Sequence, residues 1–256
     1  MQSRFKDKVA FVTGGGSGIG AATAQRLAQE GATVIICGRN KAPLDEVVAT
    51  IRQQGGNAHA VQADVSNEQA FVTALEQTAQ QYGSLDILVN NAMAFTYGAI
   101  EDMSTEQWHS NFTTSVDGTF WGTRTAMQLM KEKGGAIVNI SSICGELGTP
   151  MMAGYSASKA AVVNFSRAAA AEGAAHNIRV NVVVPAVVET PATAGMLSDE
   201  GMLNNTNRLI PMGRVGRADE LASAIAFLAS DDASYITGAS LPVDGGRAAV
   251  LVTALD

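Results

Sequence analysis

Apolar residues in this chain fall into two patterns that take turns along its length. Short unbroken runs such as "KVAFVTG" (8–14) are rich in β-branched and aromatic residues and bounded by glycine, the mark of a strand buried on both faces. Longer stretches such as "GIGAATAQRLAQEGA" space Ala22, Leu27 and Ala28 among polar residues and stop at Gly31, the mark of a helix. The alternation continues with a strand at "TVIICG" (33–38), a helix near 42–54, a strand at 58–62, a helix at 67–82 and a strand at 86–90. A single long helix is predicted over about 105–133, opened by a Ser104/Gln107 capping box and closed by Gly134 and Gly135. Then come a strand at 136–142, a helix over 152–175, a strand at 178–185, a helix near 218–230 and a strand at 240–243. Residues 190–212, rich in Met, Asn and Gly, have weak periodicity and read as an excursion or substrate lid.

Strands without a polar face, each followed by a helix, predict an α/β fold: a doubly wound parallel sheet with helices on both faces. No linker, repeat or low-complexity tract interrupts the 256 residues, so one domain spanning 1–256 is expected. Hydrophobic residues make up 46% and charged ones 16%, enough for a large core. A formal net charge of −7 argues against a nucleic-acid partner. Cys37 and Cys144, with His59, His109 and His176 scattered among them, predict neither a disulfide framework nor a metal site. No apolar run reaches 18 residues and none of signal-peptide length follows the N-terminal charges, so the expectation is a cytoplasmic protein with no membrane partner.

Two stretches carry candidate chemistry. In "MMAGYSASKAAV" (151–162), Tyr155 and Lys159 lie four apart, which on a helix puts phenol and ammonium on one face. Alone, this suits better a Tyr whose ring fills core while a Lys snorkels past it to water. In "TGGGSGIG" (13–20), the glycines stand between the first strand and first helix, where backbone N–H groups can cradle phosphates. A tight turn without a ligand is the other reading. The spacing is T-G-x-x-x-G-x-G through Gly14, Gly18 and Gly20, not G-x-G-x-x-G.

These motifs, with "ADV" (63–65), "LDILVNNA" (85–92), "SS" (141–142), "IRVNVVVP" (178–185) and "VDGG" (243–246), resemble the short-chain dehydrogenase/reductase superfamily nearly end to end. The resemblance implies a Rossmann-like fold and an NAD(P)-dependent oxidoreductase, with Ser142, Tyr155 and Lys159 as the catalytic residues. Ser142 would orient the substrate oxygen, Tyr155 would act as general acid/base and Lys159 would tune it. A free phenol has a pKa of about 10, and lowering it by ~3 units for base catalysis needs roughly 4 kcal/mol, which a neighbouring ammonium is expected to supply. The resemblance also implies cofactor contacts from Gly14, Ser17, Gly18, Ile19 and Gly20, from Asp64 and Val65 at the adenine, and from Asn91 at the adenosine ribose. Tyr155 and Lys159 join them, with Val188 and Thr190 at the carboxamide.

The chain departs from the family pattern at three positions. Ser115 stands where a catalytic-support Asn is usual, Met93 where "NNAG" has its Gly, and Ala186 where a Gly follows Pro185. After the second strand, Gly38 replaces the carboxylate that would favour NAD(H), and Arg39 suits a 2′-phosphate. NADP(H) is therefore expected, although a small residue beside an Arg also admits NAD(H). Met93, Cys144 and Met152, with Met151 and the lid residues Met196 and Met202, are expected to form an apolar substrate pocket. Arg208 is the one cation of the lid, which favours a neutral or lipophilic ketone or secondary alcohol. Two alternatives stand beside this reading: a reductase of 3-oxoacyl thioesters on a carrier protein, and a cofactor-binding subunit with weak catalysis. The resemblance further implies a homodimer or homotetramer paired through the helices near 105–133 and 152–175; the apolar run 248–256 suits burial, either against a neighbouring subunit or on its own domain.

Overall fold

The computed structural model describes residues 3–250. Seven strands form one parallel sheet: β1 (Val9–Thr13), β2 (Thr33–Gly38), β3 (Asn57–Gln62), β4 (Ile87–Asn90), β5 (Gly135–Ile140), β6 (Ile178–Pro185) and β9 (Ser240–Val243). Their order is β3-β2-β1-β4-β5-β6-β9, so the chain winds outward from β1 in one direction and from β4 in the other. The two directions diverge at the C-terminal ends of β1 and β4, where the crevice of a doubly wound sheet opens.

Alternation along the strands supplies both layers of core. Ala10, Val12, Val34 and Ile36 face one side and meet Leu27 of α1 (Gly18–Gln29), Leu44 and Val48 of α2 (Lys41–Gln53), and Leu221 and Ile225 of α9 (Ala218–Ala229). Phe11, Ile35, Leu88 and Ile137 face the other and meet Phe71 and Leu75 of α3 (Glu68–Tyr82) and Ala126 and Met130 of α5 (Gly118–Met130). Both faces of the sheet are thus buried, as apolar unbroken runs require.

The structure corrects one expectation about elements and fills in another. The helix predicted over 105–133 is two helices, α4 (Thr105–Phe112) and α5, joined by a π-helical turn over Thr113–Asp117. The predicted capping box at Ser104 and Gln107 is present. The excursion contains two short helices, α7 (Ala194–Leu197) and α8 (Glu200–Arg208). It leaves and returns through a small parallel pair, β7 (Val188–Glu189) with β8 (Gly216–Arg217). The terminal run's residues 251–256 lie outside the described part of the chain.

A chain of buried polar groups ties the sheet to α5 and to α6 (Ala153–Gly173). Asn90 Nδ2 donates to Asn139 Oδ1 at 2.9 Å and to Thr123 Oγ1 at 3.3 Å, and Asn139 Nδ2 donates to Ser166 Oγ at 2.8 Å. Asn139 is fully buried, so losing its amide strands its partners in apolar surroundings. Asn139→Ala is expected to lower unfolding stability by about 2–3 kcal/mol in a denaturant titration, without moving the fold.

Candidate active site

Every strand that borders the crevice is followed directly by residues that line it. One cavity of about 690 Å³ collects the glycine turn after β1, Gly38 and Arg39 after β2, Asp64 and Val65 after β3, Asn91 to Phe95 after β4, Ser141 and Ser142 after β5, and Ala186 and Val188 after β6. That size falls within the ~300–1,000 Å³ common for small-molecule and cofactor sites.

At one end the backbone is shaped for an anion. Gly14 and Gly18 have φ of +63° and +53°, and a Cβ on Gly20 would stand 2.2 Å from the Gly14 carbonyl oxygen. Only glycine lets α1 start this close to the turn. Ser17 precedes α1 without capping it through its side chain, so the first N–H groups of the helix are left for a phosphate. Asn91 secures the turn from β4: its Nδ2 donates to the Thr13 carbonyl at 2.9 Å and to that of Gly14 at 3.3 Å. Arg39 is exposed at the cavity rim, and its guanidinium makes no ion pair among the described residues. Asp64 uses one carboxylate oxygen to accept from the Ser66 N–H at 2.9 Å and hydroxyl at 2.8 Å, which holds the turn after β3. A glycine cradle at a helix N-terminus fits the pyrophosphate of a dinucleotide.

At the other end, α6 presents Tyr155 and Lys159 one turn apart toward Ser142. The Lys159 side chain is almost completely buried, and its Nζ donates to the Ile140 carbonyl at 2.9 Å. Burial lowers its pKa to about 8. The ammonium lies 5.7 Å from the centre of the Tyr155 ring. Ser142 Oγ accepts from the Cys144 N–H at 3.1 Å, leaving its own O–H to donate.

The expectation that Lys159 brings the phenol down does not describe this state. Burial pushes Tyr155 up to about 12; the nearby Ser142 hydroxyl pulls it down in part, and Cys144 adds to the rise. The physical reason is that the water the phenol loses on burial disfavours its charged form by more than the Ser142 hydroxyl returns. The phenol is therefore a proton donor at neutral pH.

Gly14, Ser17, Gly18, Ile19, Arg39, Asp64, Val65, Asn91, Met93, Ser142, Tyr155, Lys159, Val188 and Thr190 all line the cavity. Four expected residues do not. Gly20 packs behind the turn. Ser115 is buried in the π-helical turn, where its Oγ accepts a long hydrogen bond of 3.5 Å from the Ala94 N–H. Cys144 and Met152 turn to each other instead, their sulfurs 4.0 Å apart, and Thr149 Oγ1 donates to Cys144 Sγ at 3.2 Å. Among the methionines expected to build an apolar pocket, Met93 alone lines the cavity; Met202 is exposed on α8. Phe95, Thr114 and Thr193 line it without having been singled out from the sequence. Phe95 follows Met93 at the alternate spacing that would have pointed it the same way; Thr114 and Thr193 belong to no motif. The Tyr155 hydroxyl donates to Met93 Sδ at 3.7 Å, and Phe95 packs edge-on to the Tyr155 ring, centroids 5.4 Å apart.

Comparison with known proteins agrees with this arrangement. Residues 14–248 match the family model described as enoyl-(acyl carrier protein) reductase. The cyclopentanol dehydrogenase of Comamonas testosteroni is 42% identical over 251 residues, covering 96% of this chain and 99% of that protein. The NADP-dependent (R)-specific alcohol dehydrogenase of Lentilactobacillus kefiri is 38% identical over 255 residues, covering 97% and 100%. A solved structure from Sinorhizobium meliloti 1021, described as a short-chain alcohol dehydrogenase, superposes with a TM-score of 0.92 at 37% identity, over 96% of this chain and 98% of that one. With relatives of that likeness over nearly its whole length, the chain belongs to the short-chain dehydrogenase/reductase family, as an NAD(P)-dependent oxidoreductase working between alcohols and ketones.

Proposed function

We infer that this enzyme uses NADP(H) to interconvert a ketone and a secondary alcohol of a neutral, apolar compound, with Tyr155 as general acid/base. The observation that carries the reading is one continuous cavity with the glycine turn and Arg39 at one end and Ser142, Tyr155 and Lys159 at the other. When bound, the nicotinamide supplies the hydride in reduction and accepts it in oxidation. Ser142 donates its hydroxyl proton in a hydrogen bond to the substrate oxygen and fixes its place. Tyr155, protonated well above neutral pH, gives its proton to that oxygen as charge develops there. The buried Lys159 ammonium then stabilises the phenolate left behind, held close by its bond to Ile140. Oxidation runs the same path backward and begins with phenolate.

For the cofactor, Arg39 and the absence of a carboxylate at Gly38 favour the 2′-phosphate, and the Lentilactobacillus relative is named for NADP. For the substrate, the stretch from Asn91 to Ile100 has no charged residue. Lid helices α7 and α8 carry Arg208 alone against Asp199, which caps α8, and Glu200, so nothing there recognises an acidic carrier protein. The Comamonas relative, named for cyclopentanol, points the same way. Exposed Trp108 on α4 and Phe120 on α5 support assembly of this enzyme as a homodimer or homotetramer.

Because the phenol is protonated at neutral pH, ketone reduction is expected to hold its rate from pH 6 to 8, whereas alcohol oxidation climbs with pH above 8. Steady-state profiles of kcat/KM in both directions check this, and oxidation fastest at pH 6 contradicts it. Arg39→Ala is expected to weaken NADPH binding by about 10–100-fold while leaving NADH within a few-fold, measured by fluorescence titration. Equal loss for both cofactors would remove the preference.

A further inference from the structure

The segment after β4 borders the site without regular secondary structure, and its residues alternate in exposure. Met93, Phe95 and Tyr97 are exposed, while Ala94 and Thr96 are half-buried. The two exposed residues nearest the site cover Tyr155: Met93 Sδ accepts the phenol O–H, and Phe95 sets its ring edge against the tyrosine ring. The two half-buried ones are tethered to the α4 region. The Ala94 N–H donates to Ser115 Oγ at 3.5 Å, and Thr96 Oγ1 accepts from the fully buried Asn111 Nδ2 at 2.6 Å. Beyond them, the Gly98 N–H donates to the Met151 carbonyl at 2.9 Å, fastening the far end.

We propose that residues 93–97 form a strap that sets substrate size, in which Met93 holds the place of the substrate oxygen on Tyr155 and Ser115 and Asn111 are positioning residues that hold the strap. The proposal rests on the functional reading above and deepens it. A thioether sulfur is a weak acceptor, so a carbonyl or hydroxyl oxygen displaces it from the phenol readily. Met is flexible enough to swing aside and then pack on what enters. Phe95 keeps its aromatic contact and forms an apolar wall that Met93 completes. The space left suits compact, uncharged ring ketones and alcohols, and the strap carries no charge to recognise any other kind. Two departures from the family pattern are thereby one device: Met93 supplies the plug, and Ser115 binds the backbone N–H of the next residue.

Kinetics and spectroscopy on the full chain test the two halves. In Met93→Gly the ratio of kcat/KM for cyclopentanone over a bulky aryl ketone is expected to fall at least about tenfold. Ser115→Ala is expected to shift that ratio the same way by a few-fold and to add nothing in the Met93→Gly background. An unchanged ratio in Met93→Gly, or additive effects of the two, overturns the proposal. Thr96→Ala should behave as Ser115→Ala does, and Thr96→Ser, which keeps the hydroxyl for Asn111, should restore the wild-type ratio. Without any turnover, methyl-¹³C methionine NMR reads the strap directly. The Met93 resonance, identified by its loss in Met93→Gly, should move toward the free methionine position in Thr96→Ala and stay in place in Thr96→Ser; a resonance unmoved in Thr96→Ala overturns the proposal. A wild type that reduces neither ketone while the methyl result holds overturns the functional reading and supports the strap's tethering.

Discussion

The site is organised by a two-way clasp between the end of β5 and Lys159. The Lys159 ammonium donates to the Ile140 carbonyl at 2.9 Å, and the Ser141 hydroxyl donates back to the Lys159 carbonyl at 2.8 Å. Gly145 lets the following turn lie against α6, since a Cβ there would come within 2.7 Å of the Lys159 carbonyl carbon. The next residue of the strand end is Ser142, and one turn up the helix is Tyr155. The clasp therefore fixes the relative position of the hydroxyl and the phenol that the proposed mechanism sets on one substrate oxygen. Burying an ammonium this way costs stability. A Lys held at about 8 instead of 10.5 binds fewer protons folded than unfolded, so the folded state loses roughly 3 kcal/mol below pH 8 and recovers it as pH rises toward 10.5. A costly charge so placed is the kind found where chemistry is done.

The cofactor half is built on a different constraint, the close approach of α1 to the glycine turn, with Asn91 lacing β4 to β1. The two halves meet on the short span from Asn91 to Met93. Asn91 holds the glycine turn while Met93, two residues on, touches the Tyr155 hydroxyl. This proximity follows from the order of the sheet. Strands β1 and β4 are neighbours and diverge in connection, so the crevice opens between their ends.

Much of this was legible in the residues because the core depends on periodicity. Strands with no polar face announced a sheet covered on both sides, and Ala10 and Val12 against Phe11 show that alternation within an apolar run still sorts side chains between two cores. The glycine turn and the pairing of Tyr155 with Lys159 were visible for the same reason: each needs particular residues at particular spacing. The π-helical break at Thr113–Asp117 was not, since no Gly or Pro marks it and the wider turn is an outcome of packing. Nor was the direction of the Tyr155 shift, which is decided chiefly by how much water the fold removes. Cys144 and Met152 were misplaced because sulfur-bearing side chains near a site pack on one another as readily as on a substrate.

The central claim is that the Tyr155 hydroxyl, set by this clasp, carries the proton of the reaction. Tyr155→Phe removes that oxygen and leaves the ring against Phe95. Ketone reduction at pH 7, measured beside NADPH binding to the same preparation, tests the claim most directly. The account predicts kcat lower by about 10²–10⁴-fold with cofactor still bound. A phenylalanine variant that keeps most of the wild-type kcat would contradict it.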